Sequence, residues 1–167
     1  MIRIAVIGSG GNISKETEKA AENIGAKIAE NNCILICGGR EGIMEAACRG
    51  AKSKGGVTVG ILPSLGKEEA NKYVDIPINT GIGYARNVFV ASTADAVIAF
   101  DGSFGTLSEI AMALNYRKPI VILENTKFKK IFREHDFELP GEEPKINFSN
   151  TENAVNLAIE LVNKVQK

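Results

Sequence analysis

Two glycine-bearing turns in this chain have the composition of a phosphate cradle. The first reads Gly38-Gly39-Arg40-Glu41-Gly42-Ile43-Met44, the second Gly102-Ser103-Phe104-Gly105-Thr106-Leu107-Ser108-Glu109. Each follows an apolar run, Cys33 to Cys37 and Ala94 to Phe100, and each opens a segment that reads as helix. A turn of this kind aims backbone N–H groups and the positive end of a helix at one point, which favours an anion. Arg86 lies between the turns in sequence and is a further candidate anion ligand. The Thr106-x-x-Glu109 spacing has two readings. As a capping box, Glu109 folds back on the Thr106 amide and does no chemistry. Alternatively, Thr106 and the amides of Gly105 and Thr106 hold a phosphate while Glu109, one turn deeper, faces the pocket floor. The spacing is compatible with both.

The remaining polar candidates are weaker. Gly8-Ser9-Gly10-Gly11 follows the first apolar run, where a dinucleotide fingerprint would stand, but Ile13 occupies the position of the last glycine. The second strand also runs into Gly38-Gly39, where an NAD site would place an acidic residue for the ribose. Gly8, Ser9 and Gly10 therefore form a tight turn that can still approach a ligand. Asp101 stands at the carboxyl end of the Ala94 to Phe100 run, the edge at which open α/β sheets bind ligands, and Asp95 at its start. His135, the one histidine, sits among Lys, Arg and Glu and reads as a surface residue, as does the Lys67-Glu68-Glu69 loop.

The elements that must position these residues alternate along the chain. Strand-like runs at Ile2 to Ile7, Cys33 to Cys37, Val57 to Leu62, Val74 to Ile78, Ala94 to Phe100 and Pro119 to Leu123 are separated by helix-like segments. The helices are expected near 14–30, 42–54, 83–92 and 104–115, with a last one near 151–165. The strands are apolar without alternation, as when helices cover both faces of a parallel sheet. The expectation is one α/β domain over residues 1–167, a doubly wound, mainly parallel, Rossmann-like sheet. Residues 124–150, richer in charge, Pro and Gly, give no clear element.

Bulk composition narrows the partners. Lys plus Arg and Asp plus Glu number 20 each, so no global field draws the chain to nucleic acid or to an anionic membrane. The apolar Met1 to Ile7 run reaches glycine too soon for a signal peptide or a membrane span. Three cysteines without a C-x-x-C read as reduced, buried thiols of a cytoplasmic protein, not as a metal site. The partner implied is a small phosphorylated molecule, with no cofactor and no metal.

These motifs resemble those of the LOG family, Rossmann-like nucleotide-binding proteins often mislabelled as lysine decarboxylases. Its marks, G-G-x-x-G-x-M and P-G-G-x-G-T-x-x-E, match Gly38 to Met44 and Asp101 to Glu109, and its preceding arginine matches Arg86. The chain has Asp101 where the family has Pro and Ser103 where it has Gly. The stretch from Ala85 to Ile110 looks most similar to the short branch that includes molybdenum-cofactor carrier proteins. The resemblance implies one of two activities. One is hydrolysis of the N-glycosidic bond of nucleoside 5′-monophosphates, with Arg86 and Glu109 as the catalytic pair. The other is binding of a phosphate-bearing pterin without turnover. In either case Gly8, Ser9, Gly10, Gly38, Gly39, Gly42, Met44, Gly102, Ser103, Gly105 and Thr106 would surround the ligand. The resemblance also implies a homodimer or higher assembly with the site near its interface.

Overall fold

Short apolar segments that begin and end at glycine, proline or a capping residue leave the chain few options beyond strand and helix in alternation. The computed structural model describes residues 1–66, 69–134 and 146–165, so His135, Lys67 and Glu68 lie outside the described residues. Strands β1 (Arg3–Ile7), β2 (Ile34–Cys37), β3 (Thr58–Leu62) and β4 (Ile76–Asn79) form the first half. Strands β5 (Ala96–Ala99), β6 (Ile120–Leu123) and β7 (Ile146–Ser149) form the second. Helices α1 (Lys15–Glu30), α2 (Ile43–Ser53), α3 (Asn87–Thr93), α4 (Phe104–Asn115), α5 (Lys127–Glu134) and α6 (Ala154–Val165) connect or follow them. A 3₁₀ turn over Gly83–Arg86 leads directly into α3. None of the described helices is long and apolar enough to cross a membrane.

The seven strands form one sheet in the order β4-β3-β2-β1-β5-β6-β7, and every neighbouring pair is parallel. Strand order therefore reverses between β1 and β5, and the loops leaving these two strands part to opposite faces. The crevice opened there at the carboxyl ends is fixed by topology.

Strand alternation sorts the core into two layers. Ile4, Val6, Leu35, Cys37 and Ile98 pack with α1, α2 and α6, while Ala5, Ile7, Ile36, Val97 and Ala99 pack with α3, α4 and Phe128 of α5. The two edge strands depart furthest from full burial: β7 is largely half-buried, and in β4 Ile76 and Ile78 face solvent while Pro77 limits further strand pairing. Local signals set the helix ends. Ser14 caps α1 by accepting from the Thr17 amide at 3.1 Å, with Glu16 and Glu18 in the first turn and Lys27 in the last. At the amino ends of the central strands, Asp95 accepts from the Arg3 amide at 2.8 Å and from Arg3 Nη2 at 2.7 Å. This pair fastens the amino ends of β1 and β5, and places Asp95 away from the ligand-binding edge.

Helices α1 and α2 approach at backbone contact. A β-carbon at Gly25 would overlap the Ala47 carbonyl, and one at Gly50 the Glu22 carbonyl. Gly50→Leu should therefore force the helices apart and lower stability by about 1–3 kcal/mol, read as a lower midpoint in urea unfolding.

Candidate functional site

The crevice at the switch point is a cavity of about 250 Å³. The β1 loop supplies Gly8, Ser9, Gly10 and Gly11, the β2 turn and α2 supply Arg40, Glu41 and Met44, and the 3₁₀ turn and α3 supply Tyr84, Arg86 and Asn87. The first turns of α4 supply Ser103, Gly105, Thr106 and Glu109. Of the residues that sequence singled out, Gly8, Ser9, Gly10, Met44, Arg86, Ser103, Gly105, Thr106 and Glu109 line this one cavity. Gly38, Gly39, Gly42 and Gly102 belong to the same turns but stand behind the wall, where each makes room for a neighbour.

Gly42 is the helix cap of α2, with φ 70° and ψ −129°, a backbone conformation suited to glycine. A β-carbon there would also lie 2.5 Å from the Ser9 carbonyl oxygen. Gly38 leaves the space in which the Arg86 guanidinium lies, and Gly102 the space of the Thr106 side chain. The backbone of Ser9 joins three loops: its N–H donates to the Asp101 carbonyl at 2.9 Å, and its carbonyl accepts from the Ile43 N–H at 3.1 Å. Asn71 straps the β2 turn from outside, donating through Nδ2 to the Gly39 carbonyl at 3.2 Å and the Arg40 carbonyl at 2.9 Å.

At the floor lie the two groups with unusual electrostatics. Arg86 and Glu109 are 8% and 6% exposed, and Arg86 Nη1 stands 3.7 Å from Glu109 Oε1, an ion pair too long for a hydrogen bond. Arg86 Nε and Nη1 are buried without a hydrogen-bond partner among the described residues. Burial lowers the pKa of Arg86, against the attraction of Glu109. Burial also raises Glu109 to about 7, Arg86 opposing only in part. An arginine remains protonated even so, so the cavity floor holds a desolvated cation with two unused donors beside a carboxyl group poised near neutrality.

The two readings of Thr106-x-x-Glu109 are separated here. Ser103, not Thr106, is the N-cap of α4, and it makes no side-chain capping bond. Thr106 lies inside the first turn, so Glu109 does not fold back as a capping box and instead projects to the cavity floor. Asp101 does not face this cavity. Its Oδ1 accepts from the Gly102 N–H at 3.2 Å and lies 3.9 Å from Lys127 Nζ, on the wall of a separate cavity near Glu16 and Asn150. The negative charge at the position of the family proline is thereby directed away from the anion-receptive floor.

Sequence reasoning did not assign Arg40, Glu41, Gly11, Tyr84 or Asn87 to the site. Tyr84 and Asn87 flank Arg86, and Arg40 and Glu41 fill the variable positions of the first turn. Adjacency to an assigned residue was the signal present in sequence.

A wholly parallel doubly wound sheet with a polar crevice at its switch point defines a Rossmann-like α/β protein. Within that class the chain belongs to the SLOG cluster4 family, whose profile matches residues 1–155. The molybdenum cofactor binding protein of Rippkaea orientalis superposes with a TM-score of 0.86 at 35% identity, over 96% of this chain and 97% of that one. The molybdenum cofactor carrier protein of Chlamydomonas reinhardtii gives a TM-score of 0.81 at 33% identity, over 97% and 98%. The chain is also 34% identical over 116 residues to the cytokinin riboside 5′-monophosphate phosphoribohydrolase of Mycobacterium tuberculosis, an alignment spanning 64% of this chain and 62% of that enzyme.

Because the folded value of Glu109, about 7, lies above its ordinary 4.5, the native state holds this proton more tightly than the unfolded chain does. The resulting stabilisation is complete below pH 4.5 and is lost as pH rises through about 7. Thermal melts of wild type minus Glu109→Gln should show this contribution declining across that window. A difference that stays flat would place Glu109 in a solvated setting.

Proposed function

We propose that the crevice binds a nucleoside 5′-monophosphate and hydrolyses its N-glycosidic bond, releasing the free base and ribose 5-phosphate. The observation that carries this reading is the buried Glu109 carboxyl, raised to about 7, beside an Arg86 with two unbonded donors. Arg86, Thr106 and the amides at the start of α4 receive the phosphate, as desolvated donors favour an anion. A cavity of about 250 Å³ suits a phosphoribosyl group better than a dinucleotide. The base then reaches the mouth, where Tyr84 lines the wall and is 81% exposed, free to stack on it.

In the reaction, the C1′–N bond breaks and the base leaves with the electron pair, while positive charge develops on the ribose. Ionised Glu109 stabilises that charge and takes a proton from a water whose oxygen bonds to C1′. The leaving base gains the balancing proton. A general base with a pKa near the working pH is well matched to this step. Glu41 of the β2 turn also lines the cavity, but this reading gives the chemistry to Glu109 alone and does not use the two-carboxylate scheme of glycosidases.

A second reading has its own support. The molybdenum cofactor binding and carrier proteins align with this chain end to end, whereas the phosphoribohydrolase alignment covers about two thirds. On that reading the same floor receives the phosphate of a pterin ligand, and Glu109 supplies no chemistry. A panel of nucleoside 5′-monophosphates, with release of base followed by chromatography, separates the two. The hydrolase predicts base release that falls by at least a hundredfold in Glu109→Gln, with kcat/KM rising with pH to a plateau above about 7. No release, with binding retained by Glu109→Gln, favours the carrier.

We extend the proposal to a homo-oligomer. Phe89 on α3 is 47% exposed, Phe104 at the start of neighbouring α4 is 88% exposed and Tyr116, just past the end of α4, is 47% exposed, large apolar side chains that a second copy would cover. Light scattering should give at least a dimer, and Phe89→Glu should reduce it to monomer.

A further inference from the structure

Asn87, the first residue of α3, is 5% exposed and lines the crevice next to Arg86. Its side-chain amide is fully used as a donor: Nδ2 gives one hydrogen bond to Ser108 Oγ at 2.9 Å and one to the Gly105 carbonyl at 3.3 Å. Ser108 Oγ donates in turn to that same carbonyl at 2.6 Å. Because both acceptors sit on α4, the amide can be oriented in only one way, with its NH₂ toward α4. Oδ1 is then held on the other side of the group, and it accepts from no donor among the described residues. A ligand that closes the crevice over this carbonyl and brings no donor to it leaves a polar group unpaired, which is costly. Beside it, Arg86 Nε and Nη1 are donors without an acceptor. The two neighbours thus present opposite requirements: the ligand must bring an anionic acceptor to Arg86 and an O–H or N–H donor to Asn87.

We propose that Asn87 is a specificity residue, whose Oδ1, oriented by Gly105 and Ser108, accepts a hydrogen bond from a ribose hydroxyl of the ligand. The proposal rests on the reading of the crevice as a nucleoside monophosphate site. It assigns the site a preference for ribonucleotides over deoxyribonucleotides that does not depend on the base. Asn87 is not placed at the reacting atoms, so its effect falls on selection among ligands and not on protonation of the leaving base.

The test is calorimetric titration with AMP, 2′-deoxy-AMP and 3′-deoxy-AMP, in the Glu109→Gln protein so that bound nucleotide is not turned over. With Asn87 present, at least one deoxy analogue should bind about tenfold more weakly than AMP, because a site built around an accepting carbonyl penalises the missing donor. Asn87→Ala should bring that ratio close to one by weakening AMP while leaving the deoxy analogue nearly unchanged. Ser108→Ala, which frees the amide to rotate, should lower the ratio part of the way and serves where Asn87→Ala does not fold. A ratio preserved in both variants overturns the proposal, as does an equal weakening of AMP and its analogues, the mark of a purely structural asparagine. If none of the three nucleotides binds the Asn87 protein, the nucleotide reading of the crevice fails, and the proposal with it. If AMP binds with no ribose discrimination, only the assignment of Asn87 fails.

Discussion

A buried guanidinium that lacks hydrogen-bond partners on two of its nitrogens is a costly group to place in a small protein, and the crevice is organised around it. Arg86 keeps its charge despite burial, and among the described residues its ion-pair partner is Glu109, at 3.7 Å. The glycine at position 38 exists in the space that this guanidinium would otherwise share with a side chain. Glu109 answers the same charge from α4, but burial of the carboxyl outweighs the attraction and holds its pKa near 7. Cation and carboxylate are therefore each destabilised by desolvation, and each is incompletely satisfied by the other. A ligand that supplies an anion to Arg86 would relieve the larger part of that cost.

The sheet makes this arrangement possible. Reversal of strand order between β1 and β5 brings together turns that are far apart in sequence, and each delivers one kind of group. The β1 loop contributes backbone and ties its neighbours through Ser9. The β2 turn contributes two charged side chains of opposite sign, Arg40 and Glu41, under the strap of Asn71. The 3₁₀ turn and α3 contribute Arg86 and Asn87, while α4 contributes Thr106 and Glu109. Hydrogen bonds from Asn87 to Gly105 and Ser108 join the last two elements, so the arginine and the glutamate are held by one network. Rigid pieces with unsatisfied donors fit a site that recognises its ligand before any chemistry begins, whether or not chemistry follows.

Much of this was legible in sequence, for reasons that differ from element to element. Apolar strands that end at glycine or proline located β1, β2, β3, β5 and β6 within a residue or two, because full burial on both faces leaves little room for polar residues. The same criterion did not find β7, whose Ile146 to Ser149 segment contains Asn and Ser, or α5, in which charge outweighs Phe128, Ile131 and Phe132. The glycine turns and Arg86 were readable as candidates because composition there is unusual. Asn87, Tyr84, Arg40 and Glu41 carried no distinctive pattern, since ordinary polar residues acquire a site role only from what stands opposite them.

The sequence by itself determined the alternation of strand and helix, the parallel sheet, and the two turns able to present backbone donors. These follow from local steric limits and hydrophobic periodicity, which act over a few residues. Tertiary structure alone decided the state of Glu109 and the direction of Asp101. Thr106-x-x-Glu109 is equally good as a helix cap and as a site motif until α4 is docked with Ser103 at its cap. Sequence puts Asp101 at the ligand-binding edge of the sheet, but only the fold shows its carboxylate turned toward Lys127. Desolvation and Coulomb interaction depend on groups distant in the chain, and their balance exists only once the fold has set which side chains lose water together.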